Sequence, residues 1–255
     1  KHVHRLHPYK GKFIPQLVEY FIDSHTDDFK KEVYFQKGDI ILDPFCGSGT
    51  ALVQANESGL NAIGIDISEF NSQISNAKVR KYNITDIQSE ILRINEILNN
   101  FVRSNNVSEF ENILISNLNE FNTKYFPTPE FRYKVNKKLI DEFEYANLKV
   151  NEFRPVFENL VKEYKIKLVQ DSQVTFLDKW YLDTVRKEIE VVFDELKKVK
   201  NLSTKKIITI ILSRTIRSCR ATTHADLATL KEPVNSIYYC SKHSKVCKPL
   251  FSIKK

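Results

Sequence analysis

One stretch limits the fold of this chain more than any other: Asp39-Ile40-Ile41-Leu42-Asp43-Pro44-Phe45-Cys46-Gly47-Ser48-Gly49-Thr50, where a short apolar run breaks into small residues and then enters a helical pattern. Ile40 to Leu42 read as a parallel strand, because strands covered on both faces carry continuous apolar runs rather than alternation. Gly47 and Gly49 allow a sharp turn and let the backbone approach a bound molecule with no side chain between. The helix that follows is expected from Thr50 to Ser58, stopping at Gly59, a residue suited to a left-handed cap. A second apolar strand, Leu60 to Ile65, ends on Asp66. Strand, glycine turn, helix, strand and acid, in that order, describe an α/β ligand-binding unit whose acid can accept both hydroxyls of a ribose.

Two phosphate-binding patterns fail here. No Gly-Lys-Ser/Thr follows the turn, so it is not a P-loop, and Leu52 stands where a dinucleotide fingerprint needs its third glycine. What remains, Asp43-Pro44-Phe45-Cys46-Gly47-Ser48-Gly49-Thr50, resembles the S-adenosylmethionine-binding motif of the DNA amino-methyltransferases, which methylate the exocyclic nitrogen of adenine or cytosine. The opening of the chain resembles that family's second cofactor motif, His-Pro-x-x-x-Lys-Phe, with His7, Pro8, Lys12 and Phe13 at the matching positions. The resemblance implies S-adenosylmethionine held by those four residues, by Asp43 to Thr50 and by Asp66 with Ile67. Cys46 occupies the variable position of the motif and needs no catalytic role.

All six glycines fall in the first 64 residues, so the remainder is expected to be mostly helical. Ser68 to Lys81 reads as a helix with Ser68 as N-cap. Thr85 with Gln88 reads as a capping box opening a helix that places Ile87, Ile91, Ile94, Leu98 and Phe101 on one face. Helical pattern then continues to about residue 200, with expected breaks at Pro127, Pro129 and Pro155. Aromatic and basic residues interleave from Phe131 to Tyr145; at helical spacing such aromatics favour core over base stacking. Trp180, ahead of an amphipathic helix through Val185, Ile189, Val192 and Leu196, reads as packing. Ser203 or Thr204 is the expected cap of an apolar helix over Ile207 to Ile216. The fold class is α/β: a partial Rossmann-like methyltransferase domain over 1–84, a helical insertion or target-recognition region over 85–200, and a basic segment over 201–255.

Charge is uneven along the chain. Residues 200–255 hold 12 Lys or Arg against 2 Asp or Glu, leaving 27 against 30 in the rest. A basic segment on an otherwise balanced chain is a footprint of a polyanion, and double-stranded DNA is the expected partner. Arg214, Arg217 and Arg220, spaced by three at a helix end, are the expected phosphate contacts. In the same segment Cys240, His243 and Cys247 have spacings a zinc ion can use, with Cys219 or His224 as a fourth ligand. Four scattered cysteines do not make a disulfide framework, and no signal peptide or membrane-length apolar run is present, so a cytoplasmic protein is expected.

Methyl transfer to an exocyclic amine also needs a site for the flipped base. In the family this is an Asp/Asn/Ser-Pro-Pro-aromatic motif, and these 255 residues contain no Pro-Pro dipeptide. They contain no methionine and open on Lys1. The resemblance therefore implies the N-terminal portion of a bacterial restriction-modification methyltransferase, N6-adenine or N4-cytosine, with in-line transfer and no covalent cysteine adduct. Its catalytic residues are expected beyond Lys255 or on a second chain. Two other readings stay open: a non-catalytic cofactor- and DNA-binding subunit of a split enzyme, and an RNA amino-methyltransferase.

Overall fold

In a computed structural model, which describes residues 2–172, 174–227 and 229–254, the apolar run becomes strand β1 (Ile40–Asp43). It pairs in parallel with β2 (Asn61–Gly64), Ile41 opposite Ala62 and Leu42 opposite Ile63. Helix α2 (Thr50–Glu57) makes the crossover. Gly59, at φ +73°, turns the chain from α2 into β2 as its left-handed tolerance requires. The two faces of this small sheet differ. Ile41 packs with Ile22, Ala55 and Leu60 against α2 and helix α1 (Pro15–Ile22), whereas Ile40, Leu42, Ile63 and Ile65 on the other side are all more than half exposed. Lys30, fully buried, donates through Nζ to the carbonyls of Tyr20 and Asp23 and to the Asp23 carboxylate, which holds the following loop against the end of α1.

Helix α3 (Glu69–Val79) starts at Ser68, whose hydroxyl accepts from the Asn71 amide at 3.4 Å, as the sequence predicts. Nine further elements follow among the described residues: α4 (Ile84–Arg103), α5 (Val107–Tyr125), α6 (Glu130–Asn136), α7 (Glu142–Glu163), α8 (Phe176–Trp180), α9 (Asp183–Lys198), α10 (Leu202–Arg217), and the antiparallel hairpin strands β3 (Tyr238–Cys240) and β4 (Lys245–Cys247). The chain is thus helix-rich with two small sheets. Three local expectations are corrected. The α4 cap is Asn83, whose side-chain oxygen accepts from Thr85 and Asp86 amides, so Thr85 and Gln88 lie inside the helix. The α10 cap is Asn201, accepting from Ser203 and Thr204 amides. Pro155 lies within α7 and does not end it.

The chain forms two compact units, residues 1–91 with 196–214 and residues 92–195 with 215–255. The tail from 215 clusters with the helices of 92–195, while residues 196–214 cluster with the N-terminal residues. The core of the second unit is aromatic and aliphatic, centred on the fully buried Phe110, Leu114, Phe157, Val185, Ile189 and Phe251. Polar ties hold the tail there. Asn122 exchanges two hydrogen bonds with the Val246 backbone, and buried Glu188 accepts from Ser252 and the Ile253 amide. Trp180 is buried and its carbonyl accepts from the Ala221 amide, a packing role as predicted. In the mixed aromatic and basic stretch, Phe131 is core, Tyr145 lies against Phe126, and Tyr133 and Phe143 are exposed.

Candidate cofactor site

The glycine turn is built by its own backbone and by three neighbouring segments. The Gly49 amide donates to the Cys46 carbonyl at 2.7 Å, closing the turn, while the Cys46 amide donates to Ile65 and so continues the β1–β2 ladder. Gly47 and Gly49 sit at φ +50° and +74°, where L side chains are strained. Space enforces glycine as well: a Cβ at Gly47 would lie 2.8 Å from the Tyr9 ring, and one at Gly49 2.8 Å from Ser75 Cβ.

That Tyr9 contact joins the two motifs. The segment carrying His7, Pro8 and Lys12 lies against the glycine turn, fixed by buried His4, whose Nε2 bonds Gln54 of α2 at 3.0 Å, and by Lys12 Nζ, which donates to the His4 carbonyl at 3.0 Å. Burial lowers the His4 pKa, keeping its imidazole neutral. His7 meets Phe70 edge to face at 5.2 Å between ring centres. Phe13, Phe45 and Ile67 project into solvent, and Pro8 and Pro44 are exposed.

Asp66 closes the site from the end of β2. Its Oδ2 accepts from the Gly47 amide at 2.8 Å; its Oδ1 accepts from the Ser68 amide at 2.8 Å and from Asn71 Nδ2 at 3.0 Å. These donors, the Ser68 amide first, then Asn71 and Gly47, hold the carboxylate below its usual pKa. The acid predicted to meet a ribose thus also clamps the glycine turn to the start of α3. Asp43 turns its Oδ1 onto the Phe45 amide at 3.2 Å. Cys46 is buried, its thiol pushed up by desolvation and far from a reactive thiolate.

Two residues of α3 escaped the sequence reading. Ser75 donates to the Gly47 carbonyl at 3.0 Å, and Lys78 donates to the Ser48 carbonyl. Lys78 is buried, and desolvation, with the nearby Lys12 charge adding to it, lowers its pKa to about 8. Their spacing of three places them on one helix face, the only signal available, and a Ser and a Lys on a helix ordinarily face water. Beside them, the hydroxyls of Ser48 and Thr50 are buried without a protein partner. A buried hydroxyl left unpaired is costly, so this turn holds polar capacity in reserve.

Residues 2–77, which contain all of this arrangement except Lys78, match the sequence profile of the N6/N4 methyltransferases, described as DNA methylase. Residues 2–77 belong to the DNA methylase family. The chain is 43% identical to the type II methyltransferase M.MjaII of Methanocaldococcus jannaschii over 99% of its own length and 47% of that protein's. It is 34% identical to the type II methyltransferase M.MvaI of Kocuria varians over 57% of its length and 31% of that protein's. A shorter stretch, 24% of the chain, is 36% identical to a probable tRNA (guanine(10)-N2)-dimethyltransferase of Methanothermococcus thermolithotrophicus, covering 44% of it. The chain spans less than half the length of each of these relatives. Because the match covering nearly the whole chain is archaeal, the expected bacterial origin is withdrawn. No solved structure matches the chain.

The other predicted sites fare differently. Of the residues expected to contact phosphate, Arg214 and Arg217 lie in α10 and Arg220 just beyond its end. In the first unit Arg214 donates to the Arg5 carbonyl at 2.6 Å; in the second, Arg220 donates to the carbonyls of Arg217 and Leu227 and its pKa is lowered by burial. Both guanidiniums thus donate to backbone carbonyls. Cys240, His243 and Cys247 do come together, but with His224 and not Cys219, whose thiol donates to the Thr215 carbonyl one turn back in α10. Among the described residues no helix is long and apolar enough to cross a membrane.

Proposed function

We propose that this chain is the cofactor-binding part of a site-specific DNA methyltransferase that moves a methyl group from S-adenosylmethionine to the exocyclic amine of adenine (N6) or cytosine (N4). The observation that carries the reading is the packing of the His-Pro segment onto the glycine turn through Tyr9 and Gly47, with Asp66 at the end of the next strand. Type II methyltransferase relatives support it at the level of the reaction.

The residues present fit the cofactor. Ser48 and Thr50 keep buried hydroxyls without protein partners, and Gly47 and Gly49 leave the turn free of side chains. When bound, S-adenosylmethionine supplies a methyl group on a positively charged sulfur, which an amine can attack directly. On this reading Asp66 keeps acceptor capacity on Oδ2 for a ribose hydroxyl, while the turn and the Lys12 and Lys78 ammoniums favour a ligand with a carboxylate.

The base-binding motif is supplied by polypeptide outside these residues. A parallel sheet is ordinarily buried on both faces, yet Ile40, Leu42, Ile63 and Ile65 leave one face of the β1–β2 pair bare. Further strands of a Rossmann-like methyltransferase sheet, with a covering helix, would bury it. The test uses these 255 residues alone: they bind S-adenosylmethionine in a dialysis assay but transfer no labelled methyl group to duplex DNA. Transfer by the isolated chain would sink the division of labour, and stronger competition by structured RNA than by duplex DNA would move the substrate to RNA.

A further inference from the structure

In the second unit, the ligand atoms of His224, Cys240, His243 and Cys247 all lie within 4.8 Å of one another. Cys240 ends β3 and Cys247 ends β4; His243 sits in the turn between them, where its amide donates to the Cys240 carbonyl at 3.1 Å and Ser244 adopts φ +51°. His224 comes from the loop after α10. We propose that these four side chains bind one zinc ion that fastens this loop to the hairpin, a site separate from the cofactor turn and from methyl transfer.

Chemistry and geometry favour zinc. Two sulfurs and two imidazole nitrogens form a donor set suited to tetrahedral zinc, and four protein ligands leave no open position, the mark of a structural site. At ordinary zinc bond lengths a tetrahedral set has its ligand atoms roughly 3.3–3.8 Å apart. The Cys247 sulfur lies 3.6 Å from His243 Nδ1, and the rings of His224 and His243 meet at 4.5 Å between centres. Both sulfurs are buried. His224 Nδ1 lies 2.8 Å from the Tyr238 hydroxyl, so an Nδ1 proton given to that oxygen leaves Nε2 with the free lone pair, the usual outer partner of a metal-bound histidine. Charge agrees, because two thiolates balance the charge of the ion. Hairpin strands of three residues form a short ladder, and a metal would supply what that ladder lacks.

The experiment is a metal count on the full chain, purified under reducing conditions with no chelator and no metal-affinity handle, followed by exchange with cobalt(II). The expected result is one zinc per chain and, after exchange, the visible absorption of tetrahedral cobalt with thiolate charge transfer. Exposed His243 contributes little packing, so His243→Ala should lower zinc affinity at least about tenfold with helix content unchanged, whereas Cys219→Ala should keep the full complement. A metal-free chain that takes up no tetrahedral cobalt would overturn the proposal, as would a Cys240–Cys247 disulfide. Loss of zinc in Cys219→Ala with retention in His224→Ala would overturn the ligand assignment.

Discussion

Asp66 and the glycines show how single residues set this site. Replacing Asp66 with Ala removes the acceptor of the Gly47 and Ser68 amides together with the proposed ribose contact, so S-adenosylmethionine affinity should fall at least about tenfold in titration calorimetry. Near-normal affinity would refute the assignment. Gly49 and Gly59 have nearly the same positive φ but different surroundings: a Cβ at Gly49 strikes Ser75, while one at Gly59 meets nothing within 4 Å. Gly59→Ala should therefore cost only backbone strain, about 1 kcal/mol, and Gly49→Ala roughly 2–3 kcal/mol, read as denaturation midpoints. Lys78 adds a pH signature. Its folded pKa of about 8 is below the ordinary lysine value, so the unfolded chain binds more protons between about pH 8 and 10.5. Its contribution to stability is thus most unfavourable below pH 8 and improves as pH rises through that window. The stability difference between Lys78→Met and the parent should shrink across the same range.

At the scale of elements, helix ends separate pattern from geometry. Thr85 and Gln88 satisfy the capping-box spelling, yet Asn83 takes the cap because its side-chain oxygen reaches two amides of the first turn. Asn83→Ala should cost about 1 kcal/mol in thermal or urea unfolding, while exposed Thr85→Ala should change little. A reversed order would restore the sequence reading. Pro155 carries the same lesson, because a proline within a long helix bends or weakens it locally but does not end it when both flanks are packed. Here Phe153 and Phe157 are buried on either side. The basic run at the end of α10 reads as a phosphate contact in sequence, but the carbonyls of a helix end and its following loop also need donors, and Arg220 serves those.

For the molecule as a whole, the bare face of the β1–β2 pair matters most. On the proposed reading Leu42 and Ile63 wait for a covering helix, so a charge there should be tolerated by this chain alone and not by a complete enzyme. Leu42→Lys should leave the unfolding midpoint of the 255-residue chain within about 0.5 kcal/mol of the parent, as exposed substitutions usually do, and should abolish methyl transfer in the longer protein. Retained transfer would show that the face stays open.

The βαβ unit, its glycine turn and the helical remainder were legible in the amino-acid sequence because each rests on local rules: apolar runs for β1 and β2, left-handed glycines at 47, 49 and 59, and helical periodicity for α9. Asp66 could be placed by spacing alone. Its bond to Gly47, the approach of Tyr9 and the burial of Ser75 and Lys78 under the turn depend on segments far apart in the chain, and no local pattern encodes such contacts. The same reason governs the cysteines: spacing left Cys219 and His224 both open as the fourth ligand, and tertiary packing of the loop after α10 against the hairpin brought His224 to Cys240, His243 and Cys247.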